Sequence, residues 1–155
     1  MEKIEFSTSE ISVSLEEIIR DGGHFTLCVS GSSMNPFLVH GRDSVRLIKC
    51  RPQDFKKGRI LLFKRFSGEL VLHRIKRVLS DGSLIMNGDA QVWCEQISPS
   101  QAIAAVSAVE CDGKLIPCSS VAYRTKVFLW QLLFPIRSQI FRVRNKLKRM
   151  KNKKY

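Results

Sequence analysis

From His24 to about Pro117 the apolar positions come in short runs of Val, Ile, Leu and Phe cut by turn dipeptides. Ser67-Gly68, Asp81-Gly82 and Asp112-Gly113 each stand between two such runs, which is the pattern of a tight hairpin. The spacing predicts strands near 25–30, 44–49, 59–66, 69–79, 83–87, 103–110 and 114–117. Strands joined by tight turns run antiparallel. Long helices do not alternate with these runs, which argues against a doubly wound sheet. Upstream, Ser14-Leu15-Glu16-Glu17 reads as a capping box and Gly22-Gly23 as a stop, so a short helix is expected over Leu15 to Asp21.

After Ser119 the period changes. Leu129, Leu133, Ile136, Ile140, Val143 and Leu147 recur at steps of three and four, a helical stripe interrupted by Pro135. Proline lacks an N–H and restricts the residue before it, so a kink or two helices are expected, with Pro135 in the first turn of the second. The reading is a mostly-β antiparallel, hairpin-rich domain over 1–118 and a basic amphipathic helical tail over 119–155.

Charge sharpens that division. The net charge is +12, yet residues 1–119 hold 15 Lys and Arg against 14 Asp and Glu, while residues 120–155 hold 11 and no acid. The basic character therefore belongs to the tail, and the choice between nucleic acid and anionic lipid is a question about the tail alone. No aromatic residues interleave the terminal lysines as a base-stacking platform needs, so nucleic acid ranks below a membrane surface. An interfacial helix over 127–149 is one expectation; the other is an ordinary helix packed on the β domain. No apolar run approaches the ~20 residues that span a bilayer, and the N-terminus has no secretory pattern. A cytoplasmic protein is expected, peripheral at most on the inner face of the membrane.

Five cysteines stand at 28, 50, 94, 111 and 118 with no C-x-x-C pair. Cys28, Cys111 and Cys118 fall in or beside strand-like runs and read as small buried hydrophobes in a reducing compartment. Neither they nor His24, His40 and His73 have metal-ligand spacing, so no metal and no cofactor is expected.

Three segments carry candidate chemistry. Gly31-Ser32-Ser33-Met34-Asn35-Pro36 follows a strand: Gly31 permits a positive φ, Met34 can anchor the turn, and Pro36 directs the exit. Such a turn can present a serine hydroxyl and N–H at a fixed place, but serine needs a base. In Leu70-Val71-Leu72-His73-Arg74-Ile75, His73 shares a strand face with Val71 and Ile75. It is either a satisfied half-buried histidine or a general base. Asn87-Gly88-Asp89-Ala90 ends the strand that folds back on the His73 strand. Asp89 is either a turn aspartate or the acid that orients the imidazole, and Glu95 is a second candidate for that role.

These blocks in order, with Gly58-Arg59-Ile60-Leu61-Leu62-Phe63 between the first two, resemble the type I signal peptidase and LexA-like serine peptidase superfamily over roughly residues 25–110. His73 comes 40 residues after Ser33, and Asp89 16 residues after His73. Histidine in the second block is similar to the endoplasmic-reticulum and archaeal variant. The resemblance implies a signal-peptidase-like β fold and serine endopeptidase activity on a peptide or protein substrate, with Ser33 as nucleophile, His73 as base and Asp89 as acid. Glu95 maps to a further acid of the histidine type. Gly31, Ser32 and Met34 belong to the oxyanion loop; Gly31 stands where some members carry a hydroxyl, which leaves more of the oxyanion to the Ser33 N–H. Signal peptidases usually carry a membrane anchor, and none is expected here from the apolar runs of this sequence. The alternatives are a catalytically silent binding module acting through its tail and a LexA-like self-processing protein. Only 32 residues precede Ser33, and no Ala-Gly bond is present, which disfavours the latter.

Overall fold

In the computed structural model, residues 22–152 are described; the expected helix at Leu15–Asp21 lies outside them. Eight strands form one antiparallel sheet: β1 (Phe25–Cys28), β2 (Ser44–Lys49), β3 (Ile60–Lys64), β4 (Leu70–Val78), β5 (Leu84–Asn87), β6 (Glu95–Ile97), β7 (Ala102–Cys111) and β8 (Lys114–Pro117). Their order is β1-β2-β7-β3-β4-β5-β6, with β8 also paired to β7. The three turn dipeptides connect β3 to β4, β4 to β5 and β7 to β8. At the last of these both Asp112 and Gly113 have positive φ, +50° and +74°, which matches the twist of a two-residue hairpin.

β3 shows why the sheet holds. Ile60, Leu61, Leu62 and Phe63 are all buried, because both faces of this central strand are covered. Ile60 and Leu62 join Val45, Leu47, Val106 and Val109 on one face. Leu61 and Phe63 join Val71, Ile75, Leu84 and Met86 on the other. Each such side chain contributes about 1.5–3 kcal/mol by leaving water. β1 is an edge strand with one face open, and Cys28 there is exposed. The expectation of three buried cysteines therefore holds fully only for Cys118, with Cys111 half-buried.

Two helices follow, α1 (Val121–Leu132) and α2 (Arg137–Asn152), separated by a 3-10 turn at Phe134–Ile136 that contains Pro135. Proline breaks the helix, and Pro135 sits in the connecting turn. α1 packs on the β domain, but not by the expected stripe. Tyr123 and Val127 enter the same core as Val29, Met34 and Leu38, and Trp130 packs edge-on against Phe37. Leu129, Leu133, Ile136 and Val143 are exposed, as are Phe128 and Leu132. The division at 118/119 thus separates strands from helices without separating the packing. Among the described residues no helix is long and apolar enough to cross a membrane.

Candidate active site

The loop between β1 and β2 carries Ser33, and its form is set by hydrogen bonds. Val29 N–H donates to the Asp43 carbonyl at 2.9 Å and Gly41 N–H to the Val29 carbonyl at 2.9 Å, closing the loop at its base. Leu38 N–H donates to the Met34 carbonyl at 3.0 Å. The buried Asp43 carboxylate accepts the Val39 N–H at 2.8 Å and the Arg42 fork at 2.7 and 2.9 Å. That fork, more than the opposing burial, holds the Asp43 carboxyl below its ordinary pKa. Gly31 takes φ +81°, and its N–H donates to His40 Nδ1 at 3.0 Å. Met34 is buried in the core as the anchor of the turn.

Ser33 itself is half-buried. Its carbonyl accepts the Ala90 N–H at 2.7 Å, which fastens the loop to the turn after β5. Among the described residues neither its hydroxyl nor its N–H has a hydrogen-bond partner, so both groups are uncommitted.

His73 and its neighbours sort by strand parity. Ile75 pairs with Met86, and Met86 with Glu95, so these side chains share the face on which His73 lies. Arg74 pairs with Asn87 on the other face, and Asp89, two residues on, keeps that side. The contacts follow. His73 Nδ1 lies 3.0 Å from Glu95 Oε1. Asp89 instead accepts the Arg74 fork at 2.9 and 2.7 Å. The expected role of Asp89 as the acid on His73 is corrected accordingly: Glu95 holds that position, and Asp89 belongs to a buried ion pair. Arg74 and Asp89 are 2% and 1% exposed, and Arg74 also donates to the Gly58 carbonyl at 2.8 Å.

Glu95 is held from behind. Arg65 donates to its two oxygens at 2.7 Å each and to Glu69 at 2.6 Å. Burial works to raise the Glu95 carboxyl; the Arg65 fork and His73 outweigh it and keep it below its ordinary pKa. His73 is 2% exposed, lying between the edges of Phe63 and Trp93 with centroids at 6.1 Å. Burial pushes the imidazole below its ordinary pKa, against the pull of Glu95. Its Nε2 has no hydrogen-bond partner among the described residues and is not one of the fully enclosed unpaired atoms, so it is the nitrogen open to take a proton.

Gly88 joins the two halves. One residue beyond the Arg74–Asn87 pair, the register sets it opposite His73. A Cβ built on Gly88 would lie 2.7 Å from the Ser33 carbonyl oxygen and 2.6 Å from Gln91 Oε1. No Cβ fits there without moving the serine loop. If Ser33 acts as a nucleophile, Gly88→Ala is expected to lower its turnover by about 10²-fold, the scale of a misplacement near 1 Å, while thermal unfolding stays cooperative. A variant with native turnover would show that the loop position does not matter.

Sequence reasoning passed over Gly88, Arg65, Arg74, Trp93, Tyr123 and Trp130. For Gly88 the signal was present, since an Asn-Gly at a strand end often marks a close backbone approach. Arg65 and Trp93 gave none, because their roles arise from partners distant in sequence. No protein-family model, no curated protein and no solved structure matches the chain.

Proposed function

We propose that the chain is a serine endopeptidase of signal-peptidase-like type, with Ser33 as nucleophile, His73 as general base and Glu95 as the acid that orients it. The observation that carries this reading is a buried imidazole with Nδ1 on a carboxylate and Nε2 unpaired, while the serine loop, fastened through the Ser33 carbonyl to Ala90, presents an uncommitted hydroxyl; the two side chains are not hydrogen-bonded to each other. With Glu95 fixing the tautomer, Nε2 takes the Ser33 proton as Oγ attacks the scissile carbonyl. The imidazolium is stabilised by Glu95, and the Ser33 N–H donates to the oxyanion. The imidazolium then protonates the leaving amine, and water, deprotonated by the same nitrogen, releases the acyl group from Oγ. Neither step calls on a metal or cofactor.

A cytoplasmic location, peripheral on the inner face of a membrane, goes with this reading. Its support is the outward row Phe128, Leu129, Leu132, Leu133 and Ile136 beside a helix rich in Arg and Lys. A substrate reached from there is a cytosolic peptide or the cytosolic part of a membrane protein.

A fluorophosphonate probe tests the mechanism. Labelling is expected at Ser33, and its rate should fall with acid as His73 gains a proton. Because burial lowers the His73 pKa, the inflection should lie below the ordinary 6.5. Labelling at another residue, none at all, or an inflection above that value would sink the assignment.

A further inference from the structure

A cavity of about 480 Å³ lies between the β4–β5 hairpin and the junction of α1 with α2, and Ser33 and His73 are not among the residues that line it. Its wall is strongly one-signed. Lys57, Lys76, Arg77 and Arg137 line it, and among the described residues none of the four is paired with a carboxylate. Its one acid, Asp89, is already taken by Arg74. Arg137 is the telling member. It is 1% exposed, its head groups reach only neutral acceptors, Asn87 Oδ1 at 2.8 Å and the Trp130 carbonyl at 3.1 Å, and its Nε has no partner. A buried guanidinium without a counter-charge is costly, because desolvation is not repaid. Phe134 and Trp130 cover its faces with centroids 5.2 and 5.0 Å away, which fixes the fork without neutralising it.

We infer that this cavity is a binding site for a phosphate group, held by Arg137 at its floor and by Lys57, Lys76 and Arg77 at its mouth. Several cations converging on one space favour a multiply charged oxyanion over a single carboxylate, and each Arg137 Nη, with one N–H given to a neutral acceptor, keeps a second N–H for a phosphate oxygen. Ile85 on the same wall offers apolar surface to whatever the phosphate is attached to. The group belongs either to a small solute or to a lipid headgroup, since α1 carries its exposed apolar row next to the cavity.

Cys94 lines the cavity, whereas Cys28, also exposed, lies on β1 far along the sheet. Alkylation of the full chain by iodoacetamide therefore reads occupancy with an internal control. Inorganic phosphate at about ten times its Kd should slow modification of Cys94 about tenfold by mass action and leave Cys28 unchanged. Acetate at matched ionic strength should protect neither. The double substitution Lys57→Glu with Arg77→Glu should abolish protection without altering peptide cleavage. Protection by acetate equal to that by phosphate, no protection, or protection that survives the double substitution would overturn the site. Phosphatidic acid vesicles distinguish the sources: protection at a lower phosphate concentration than the inorganic ion assigns the group to a lipid, and the reverse order assigns it to a solute.

Discussion

On the proposed mechanism, Ser33→Ala and His73→Ala are each expected to lower peptide hydrolysis by ~10²–10⁴-fold, the usual worth of a positioned base or of the nucleophile it activates. The two changes together cost little more than either alone, because the groups act as one unit. Glu95→Gln separates orientation from charge. The amide oxygen can still accept from Nδ1–H, but the imidazolium formed on attack loses its counter-charge, so turnover falls while substrate affinity stays. The pair of parameters is measured as kcat and KM on a peptide cleaved by the native protein. Full activity in His73→Ala would remove histidine from the mechanism. A Glu95→Gln variant with native kcat would leave the carboxylate a structural partner only, satisfied by Arg65.

Asp89→Ala is expected to act on stability instead. Removing one member of a buried pair leaves the other uncompensated, at a cost of ~3–5 kcal/mol. Arg74 would then retain the Gly58 carbonyl and a long contact to the Tyr123 hydroxyl at 3.4 Å, neither of which balances its charge. Tyr123 does not take over by ionising, since burial, ahead of the opposing pull of Arg74, pushes its phenol up to about 12. The effect reads as a lower urea midpoint, with activity per folded molecule near native. A variant of native stability and greatly reduced turnover would return Asp89 to the acid role first expected of it.

The contrast between Asp89 and Glu95 marks how far the chain could be read directly. Strand positions were legible because the turn dipeptides and alternating apolar residues act locally, and seven of the eight strands follow from them. β6 was not, since Glu95-Gln96-Ile97 has two polar residues of three and pairs only because β5 presents an open edge. Without β6 the chain after Gly88 reads as a loop, and Asp89, nearer in sequence, takes the place beside His73. Parity reverses this: a two-strand path returns Glu95 to the His73 face. The helix stripe failed for a different reason. α1 has large apolar residues on both sides, and periodicity alone does not say which side meets the sheet. Tyr123, Val127 and Trp130 repeat at four and three just as well as the residues that face outward, and the polar tips of Tyr123 and Trp130 have partners in Arg74 and the Asp89 carbonyl.

α1 also orders events in time. The sheet is complete in sequence by Pro117, but Phe37 of the serine loop and the Arg74–Asp89 pair are covered by Tyr123 and Trp130, which the ribosome adds afterwards. At ~5–20 residues per second the stretch from Cys118 to Arg137 takes about one to four seconds to make. During that interval the serine loop lacks the aromatic cover on Phe37, and Arg74 lacks its outer wall. The nascent chain therefore passes through a stage in which the sheet can form while the serine loop and the buried ion pair still lack the helix that covers them.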